Sequence, residues 1–335
     1  MDRSQVLLPQ REVRKGNPAS KLRVSLIVPV YNEEASIGIF LKAIDAVFVD
    51  LQDIDPEIVF VNDGSDDGTL HLLVDAHRTR QDVVVVDLSR NFGKEAALSA
   101  GIDIATGDAL VPMDVDLQDP PELIPRMIET WLSGFEVVLA KRRSRSTDSL
   151  AKRLSSGIFY RVHNAIAEPR IPDNVGDFRL MDRVVADALG QLPESRRFMK
   201  GLFAWVGFRT TVLEYDRVER AAGSSKFNGW KLWNFAVEGF TGFSTAPLRV
   251  WTYLGIAVSI LAFVYAAMLM VRTLFFGVDV PGYASTMVAI AIFGGLQLTG
   301  IGVIGEYLGR AYIEAKRRPV YLIRRTYRVE PESWT

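Results

Sequence analysis

The 335-residue chain contains no cysteine. Disulfides, thiolate metal sites and a cysteine nucleophile are excluded with it, and the composition sits easily with a reducing compartment. Histidine is nearly as scarce: His71, His77 and His163 are all there are, and their spacing has no ligand-like grouping. Net charge is lacking too, at −1 from 39 basic and 40 acidic residues. That argues against a nucleic-acid partner, because a domain that grips phosphate backbones usually carries a basic excess. Residues 1–21 have no apolar core of the signal-peptide kind, so the body that follows is expected to stay cytoplasmic. No glycine-rich loop with lysine follows the first strand and no G-x-G-x-x-G follows any strand, which sets aside P-loop nucleotidases and nicotinamide dehydrogenases.

What is present is unevenly spread. Up to about Pro247 charge is mixed with short apolar runs, whereas Trp251–Val271 and Ala284–Gly305 are almost free of charge. Each of these stretches has roughly the 20 residues that cross about 30 Å of hydrocarbon as helix. The connector Arg272–Tyr283 is poor in basic residues, while Arg310, Lys316, Arg317, Arg318, Arg324, Arg325 and Arg328 crowd the segment after the second stretch. By the positive-inside rule, both ends of a two-helix hairpin would face the cytoplasm. The expected organisation is a polar tail 1–22, an α/β body 23–228, an interfacial segment 229–249, a transmembrane hairpin 250–306 and a basic cytoplasmic tail 307–335. The expected localisation is the inner (cytoplasmic) membrane, multi-pass. The aromatics Trp230, Trp233, Phe235, Phe240 and Phe243 suit either a helix lying on a bilayer or an amphipathic core helix.

Within the body, strand and helix alternate. Val24–Val30, Ile58–Asn62, Val83–Leu88 and Ala109–Met113 read as strands, with helices over Ala35–Val47, Thr69–Arg80 and Glu95–Ala105 between them. A further helix opens near Asp119-Pro120-Pro121 and a strand follows at Phe135–Ala140; Phe178–Met181 and Thr210–Tyr215 are the clearest later strands. Strands separated by helices imply an α/β fold with a mostly parallel sheet.

In such a sheet the loops at the carboxyl ends of the strands form the ligand crevice. Here those loops carry Tyr31-Asn32-Glu33-Glu34, Asp63-Gly64-Ser65-Asp66-Asp67-Gly68, Arg90-Asn91-Phe92-Gly93-Lys94 and Asp114-Val115-Asp116. Ser65, Asp66 and Asp67 are well placed to cap the next helix; Asp63 lies farther from it. Asp114 and Asp116 repel each other unless a cation sits between them. Hard oxygen ligands favour Mg²⁺ or Mn²⁺ shared with substrate phosphates, where the ion would assist a departing diphosphate.

Taken together, these loops resemble the inverting family-two glycosyltransferases with the GT-A fold. Gly176-Asp177-Phe178-Arg179-Leu180, Lys200-Gly201-Leu202-Phe203-Ala204-Trp205, Arg220 with Gly223-Ser224-Ser225-Lys226, and Gly305-Glu306-Tyr307-Leu308-Gly309-Arg310 narrow the resemblance to the polyprenyl-phosphate glycosyltransferases. It covers about Arg23 to Ile323. It implies that Pro29, Tyr31, Glu33 and Asp63 line the base and ribose pocket of the donor, with Lys94 also on the donor side. Asp114 and Asp116 would bind metal and diphosphate, and Gln118 would touch the sugar or the metal shell. Asp177 matches the family's candidate base, although an orienting or turn-forming role stays open for it. Arg220, Lys226 and Lys200 would meet donor or acceptor phosphate, a solvated basic surface being the alternative. The implied partners are a nucleotide sugar, with UDP-glucose favoured over GDP-mannose, a polyprenyl phosphate lipid, and a membrane. Assembly into a homo-oligomer is compatible with the pattern, and a non-catalytic nucleotide-sugar-binding subunit is the rival to an enzyme.

Overall fold

The computed structural model describes residues 21–143, 175–195, 197–215, 246–276 and 282–328. Its centre is an eight-stranded sheet of β1 (Leu22–Val30), β2 (Ile54–Asn62), β3 (Val83–Leu88), β4 (Ala109–Pro112), β5 (Val137–Arg142), β6 (Val175–Asp182), β7 (Thr210–Tyr215) and β8 (Ile323–Tyr327), in the order β7-β5-β6-β4-β1-β2-β3-β8. The strands β4, β1, β2 and β3 pair in parallel. Strand β6 is antiparallel to β4 and β5, and β8 is antiparallel to β3.

The parallel strands are apolar runs because both of their faces are covered. Alternate residues of β1 divide between the layers. Val24, Leu26 and Val28 pack with Ile37, Phe40 and Ile44 of α1 (Glu34–Phe48), Leu73 of α2 (Thr69–Thr79) and Met127 and Trp131 of α4 (Ile124–Leu132). Ile27 turns the other way, onto Ala97 and Leu98 of α3 (Lys94–Ile104), in a cluster that also holds Val185 and Leu189 of α5 (Arg183–Gly190) and Met199 and Leu202 of α6 (Met199–Trp205). This three-layer arrangement agrees with the GT-A reading of the body, and the strand and helix positions expected from the pattern are found within a few residues.

The C-terminal region departs from expectation in two ways. Two long helices do form, α7 (Ala246–Phe276, 31 residues) and α8 (Tyr283–Ala315, 33 residues). Yet among the described residues no helix is long and apolar enough to cross a membrane. The expectation of two C-terminal transmembrane helices, and the multi-pass inner-membrane localisation drawn from it, are corrected accordingly. The second departure is β8: part of the supposed basic tail is an edge strand whose Ile323 and Arg325 pair with Leu88 and Asp87. Leu322 O also accepts from Ser89 N at 2.9 Å. The interfacial reading of residues 229–249 falls mostly outside the described residues, as do Arg220 and Lys226.

Candidate active site

The four loops converge on the carboxyl edge of β1 to β4, as the parallel topology requires. Asn32 ties the first to the second: its backbone N–H donates to Ser65 Oγ at 3.0 Å, and its Oδ1 accepts from Asp66 N at 2.9 Å. Asn32 adopts φ 54°, a left-handed conformation that asparagine tolerates better than most residues. The second loop presses on the third at Gly64 (φ 66°), where a Cβ would lie 2.5 Å from Arg90 C and 2.6 Å from Asn91 N. Only glycine permits both the angle and the approach.

Asp63 then locks the third loop. Its two carboxylate oxygens accept from Phe92 N at 2.7 Å and Gly93 N at 2.9 Å, and the residue is buried. Burial raises its pKa despite these hydrogen bonds. In this geometry the carboxylate braces the turn that launches α3, a duty distinct from the ribose contact the resemblance implies. Pro29 is half-buried and Tyr31 is 37% exposed at the rim. Glu33 opens α1, its Oε2 accepting from Ser36 Oγ at 3.0 Å and its N–H donating to Thr69 Oγ1 at 2.9 Å. The N-cap of α2 is Gly68, which makes no side-chain cap bond, so the expected caps Ser65, Asp66 and Asp67 do not occupy that position, although Asp67 Oδ1 accepts from Thr69 N at 3.0 Å.

Gly93 (φ 98°) has open space where a Cβ would be, so it is the angle, not crowding, that calls for glycine there. The turn sets Lys94 as the first residue of α3 and aims its side chain across the crevice. Lys94 Nζ lies 2.7 Å from Asp114 Oδ1, 3.0 Å from Asp114 Oδ2 and 2.9 Å from Asp177 Oδ2. One ammonium thus joins carboxylates from β6 and from the loop after β4. Burial works against its charge, but Asp177 and Asp114 outweigh it and hold the lysine pKa well above the usual range. Burial likewise would raise the pKa of Asp177, yet Lys94, Lys200 and Arg179 prevail and keep it well below the ordinary carboxylate range. The remaining oxygen, Asp177 Oδ1, is buried with no hydrogen-bond partner among the described residues.

Asp116 Oδ1 accepts from Gln118 N at 3.2 Å, and between them Leu117 sits at φ 55°. A leucine in the left-handed region is strained, and such strain is held in place by its surroundings at working loops. Below this loop Asp119, also buried, accepts from Tyr215 Oη, which closes the segment onto β7.

Two participants carry no role in the motif reading. Glu95, next to Lys94, has its pKa pushed up to about 8 by burial and by Asp177, while its Oε2 accepts from Met199 N at 3.2 Å. Arg179 is buried, donates from Nη2 to Gly176 O at 2.8 Å and stacks over Phe203 at 3.9 Å. Burial pushes its pKa down to about 10. Glu95 is signalled only by its place next to Lys94, and Arg179 lies within the segment Gly176–Leu180 without a role assigned to it. Lys200 lies near Asp177, on α6, and influences it through charge. Structure therefore brings Lys94, Asp114, Asp177 and Lys200 together, places Asp116 and Gln118 on the adjoining turn, and keeps Pro29, Tyr31 and Glu33 on the first loop.

The cluster fits a divalent ion. Asp114 already turns both oxygens toward a cation, the lysine ammonium, and one buried oxygen of Asp177 has no hydrogen-bond partner among the described residues. Among the described residues no group of three or more histidine, aspartate or glutamate side chains forms a ready cage. A divalent ion held by one or two carboxylates would take its remaining ligands from substrate phosphates.

Residues 25–190 match the model of glycosyl transferase family 2, and residues 246–311 match the GtrB C-terminal hairpin. The chain is 53% identical over 310 residues, 92% of its own length and 100% of the relative's, to the SfII prophage-derived bactoprenol glucosyl transferase of Shigella flexneri. It is 53% identical over 304 residues, 91% of its length and 99% of the relative's, to the prophage bactoprenol glucosyl transferase homolog of Escherichia coli K12. A solved mannosyltransferase from Pyrobaculum calidifontis, in complex with GDP-Man and Mn²⁺, is 21% identical with a TM-score of 0.47, covering 89% of this chain and 88% of its own. With identity above half across nearly its whole length, and with both family segments in order, the chain belongs to glycosyltransferase family 2 and to its branch with the GtrB C-terminal hairpin.

Proposed function

We propose that the protein transfers a hexose, glucose from UDP-glucose, to undecaprenyl or another polyprenyl phosphate with inversion at the anomeric carbon. The observation that carries this reading is the Asp114–Lys94–Asp177 bridge at the carboxyl edge of the sheet. The names of the relatives supply the sugar and the lipid carrier; the bridge supplies what the reaction needs. A phosphate oxygen of the acceptor forms the new bond to the anomeric carbon while the bond from that carbon to the donor diphosphate breaks. No proton must leave the nucleophile, because a phosphate monoester with a second pKa of about 6 is largely dianionic near neutral pH.

The residues then divide the work between charge and position. Pro29, Tyr31 and Glu33 form the base and ribose side, with Asp63 holding the loop that faces them. Asp114 and Asp116 hold Mg²⁺ or Mn²⁺, which when bound supplies Lewis-acid stabilisation to the departing diphosphate. Gln118 borders the sugar. Asp177 orients the acceptor, since a carboxylate held below its ordinary range by Lys94 is a poor proton acceptor, and an effective base needs a pKa near the working pH. Lys200, Arg220 and Lys226 are assigned to phosphate.

The test is a donor panel of UDP-glucose, UDP-galactose and GDP-mannose offered with undecaprenyl phosphate in detergent, with the lipid product read by mass and by the anomeric coupling constant. Glucosyl phosphate lipid of inverted configuration is expected from UDP-glucose. A preference for GDP-mannose would overturn the donor, and retention of configuration the mechanism.

A further inference from the structure

The Lys94 ammonium contacts both carboxylate oxygens of Asp114, the atoms a metal ion would use. It has three N–H donors, and three carboxylate oxygens lie within 3.0 Å of it: both of Asp114 and Oδ2 of Asp177. A divalent ion that seeks an Asp114 oxygen meets a like charge already seated there. The lysine is also able to leave. It stands at the first position of α3 behind the Gly93 turn, its side chain is 44% exposed, and a lysine ammonium rides on a flexible four-carbon stem. Asp177 offers it a second anchor that does not depend on Asp114.

We propose that Lys94 is a built-in competitor of the metal ion: it holds Asp114 until the nucleotide diphosphate arrives, then transfers its charge to phosphate and releases the carboxylate to the ion. This rests on the reading above that Asp114 and Asp116 are the metal ligands. It adds the residue that makes ion and donor enter as a pair. The diphosphate gives the ammonium a new anion and gives the ion its missing oxygen ligands, so each favours the other through one exchange of partners. Cooperativity of this kind is a coupling free energy, and linkage makes it reciprocal. Without the lysine, Asp114 would accept a divalent ion from solution directly and the coupling would shrink.

The experiment measures Mn²⁺ binding to the full-length protein by the free-ion paramagnetic resonance signal, with and without UDP. Wild type, Lys94→Met, Lys94→Arg and the double variant Lys94→Met/Asp114→Asn are compared, and near-ultraviolet dichroism confirms their folding. Lys94→Met is expected to bind Mn²⁺ alone about tenfold more tightly than wild type, equivalent to roughly 1.4 kcal/mol, and UDP should enhance that binding less. Lys94→Arg, which keeps the positive charge, should stay close to wild type, and the double variant should lose the gain. Lys94→Gln serves in place of the methionine variant if that one does not fold. Unchanged or weaker binding of Mn²⁺ alone by the neutral variants, with wild type still binding Mn²⁺ in the presence of UDP, would overturn the competitor role and leave the metal reading standing. If no form binds Mn²⁺ even with UDP, the metal reading falls and the competitor role falls with it.

Discussion

Two acidic clusters sit toward opposite edges of the same sheet. At the amino-terminal end, Glu57 of β2 accepts from Ser25 Oγ, from Thr106 N at 2.8 Å, from Thr106 Oγ1 at 2.7 Å and from Arg328 Nη2 at 2.9 Å. At the carboxyl edge, Asp177 has the Lys94 ammonium on one oxygen and no hydrogen-bond partner among the described residues on the other. Both carboxylates are ionised against the cost of burial, which would raise the pKa of each. The difference lies in what offsets that cost. Glu57 relies chiefly on neutral donors fixed by the backbone, with Arg328 adding charge. Asp177 relies on the charges of Lys94, Lys200 and Arg179, and one of its oxygens has no hydrogen-bond partner among the described residues. A cluster whose hydrogen bonds are all made by the protein is satisfied as structure, whereas a buried oxygen without a partner among the described residues is an exception that calls for an explanation.

The comparison breaks first, and most visibly, at Asp177. Asp177→Asn is expected to lower kcat by about 10²-fold, within the range typical of a lost charged or proton-transferring group, while the melting temperature holds or rises. If orientation is its role, activity of the variant recovers partly as pH climbs above the acceptor's second pKa of about 6. A flat, low profile across pH would make it an obligatory base.

Glu57→Gln should do the reverse. The amide nitrogen replaces one carboxylate oxygen and so loses either the Thr106 N–H bond to Oε2 or the Arg328 bond to Oε1, and stability should drop by roughly 3 kcal/mol in urea unfolding, while KM and kcat at low temperature stay near wild type. A turnover defect without a stability loss would erase the distinction between the two ends.

The clusters should also respond to pH in opposite senses. The folded pKa of Glu57 is lowered, so its contribution is present above about 4.5 and is lost as pH falls through the lower folded value. Glu95, beside Asp177, has a folded pKa raised from 4.5 to about 8, so the folded state holds the extra proton and stability declines as pH rises across that window. Glu95→Gln should flatten this decline in melting temperature between pH 5 and 8, an effect of about 1 kcal/mol or more. The smallest change is expected for Arg324→Ala. Its Nη2 donates to Ser89 O at 2.7 Å, but the side chain is 60% exposed, so the loss should stay under about 1 kcal/mol.

The Glu57 cluster was hard to foresee and the carboxyl-edge cluster easy, for a physical reason. Crevice residues follow apolar strands at turn positions, and parallel topology gathers them on one edge, so Asp63, Lys94 and Asp114 stood out in one dimension. Glu57 looks like any charge within a strand, because its partners Ser25, Thr106 and Arg328 come from distant segments. Strand β8 was missed because Arg324 and Arg325 read as solvated charge; its pairing depends on β3 offering an open edge, which no local pattern encodes. The same logic limits the apolar C-terminal stretches: their helicity was legible, whereas their reading as membrane spans did not hold among the described residues.

The position of β8 also sets the order in which the molecule is completed. Its partner β3 is a row of valines whose outer edge has no other neighbour in the sheet, and Leu88 waits for Ile323, some 235 residues later in synthesis. At about 5–20 residues per second, that edge stays bare for on the order of 10–50 s on the ribosome. An uncovered β edge is a template for pairing with other chains. The final strand therefore acts as a latch on assembly, and a chain cut short before Ile323 should aggregate through β3.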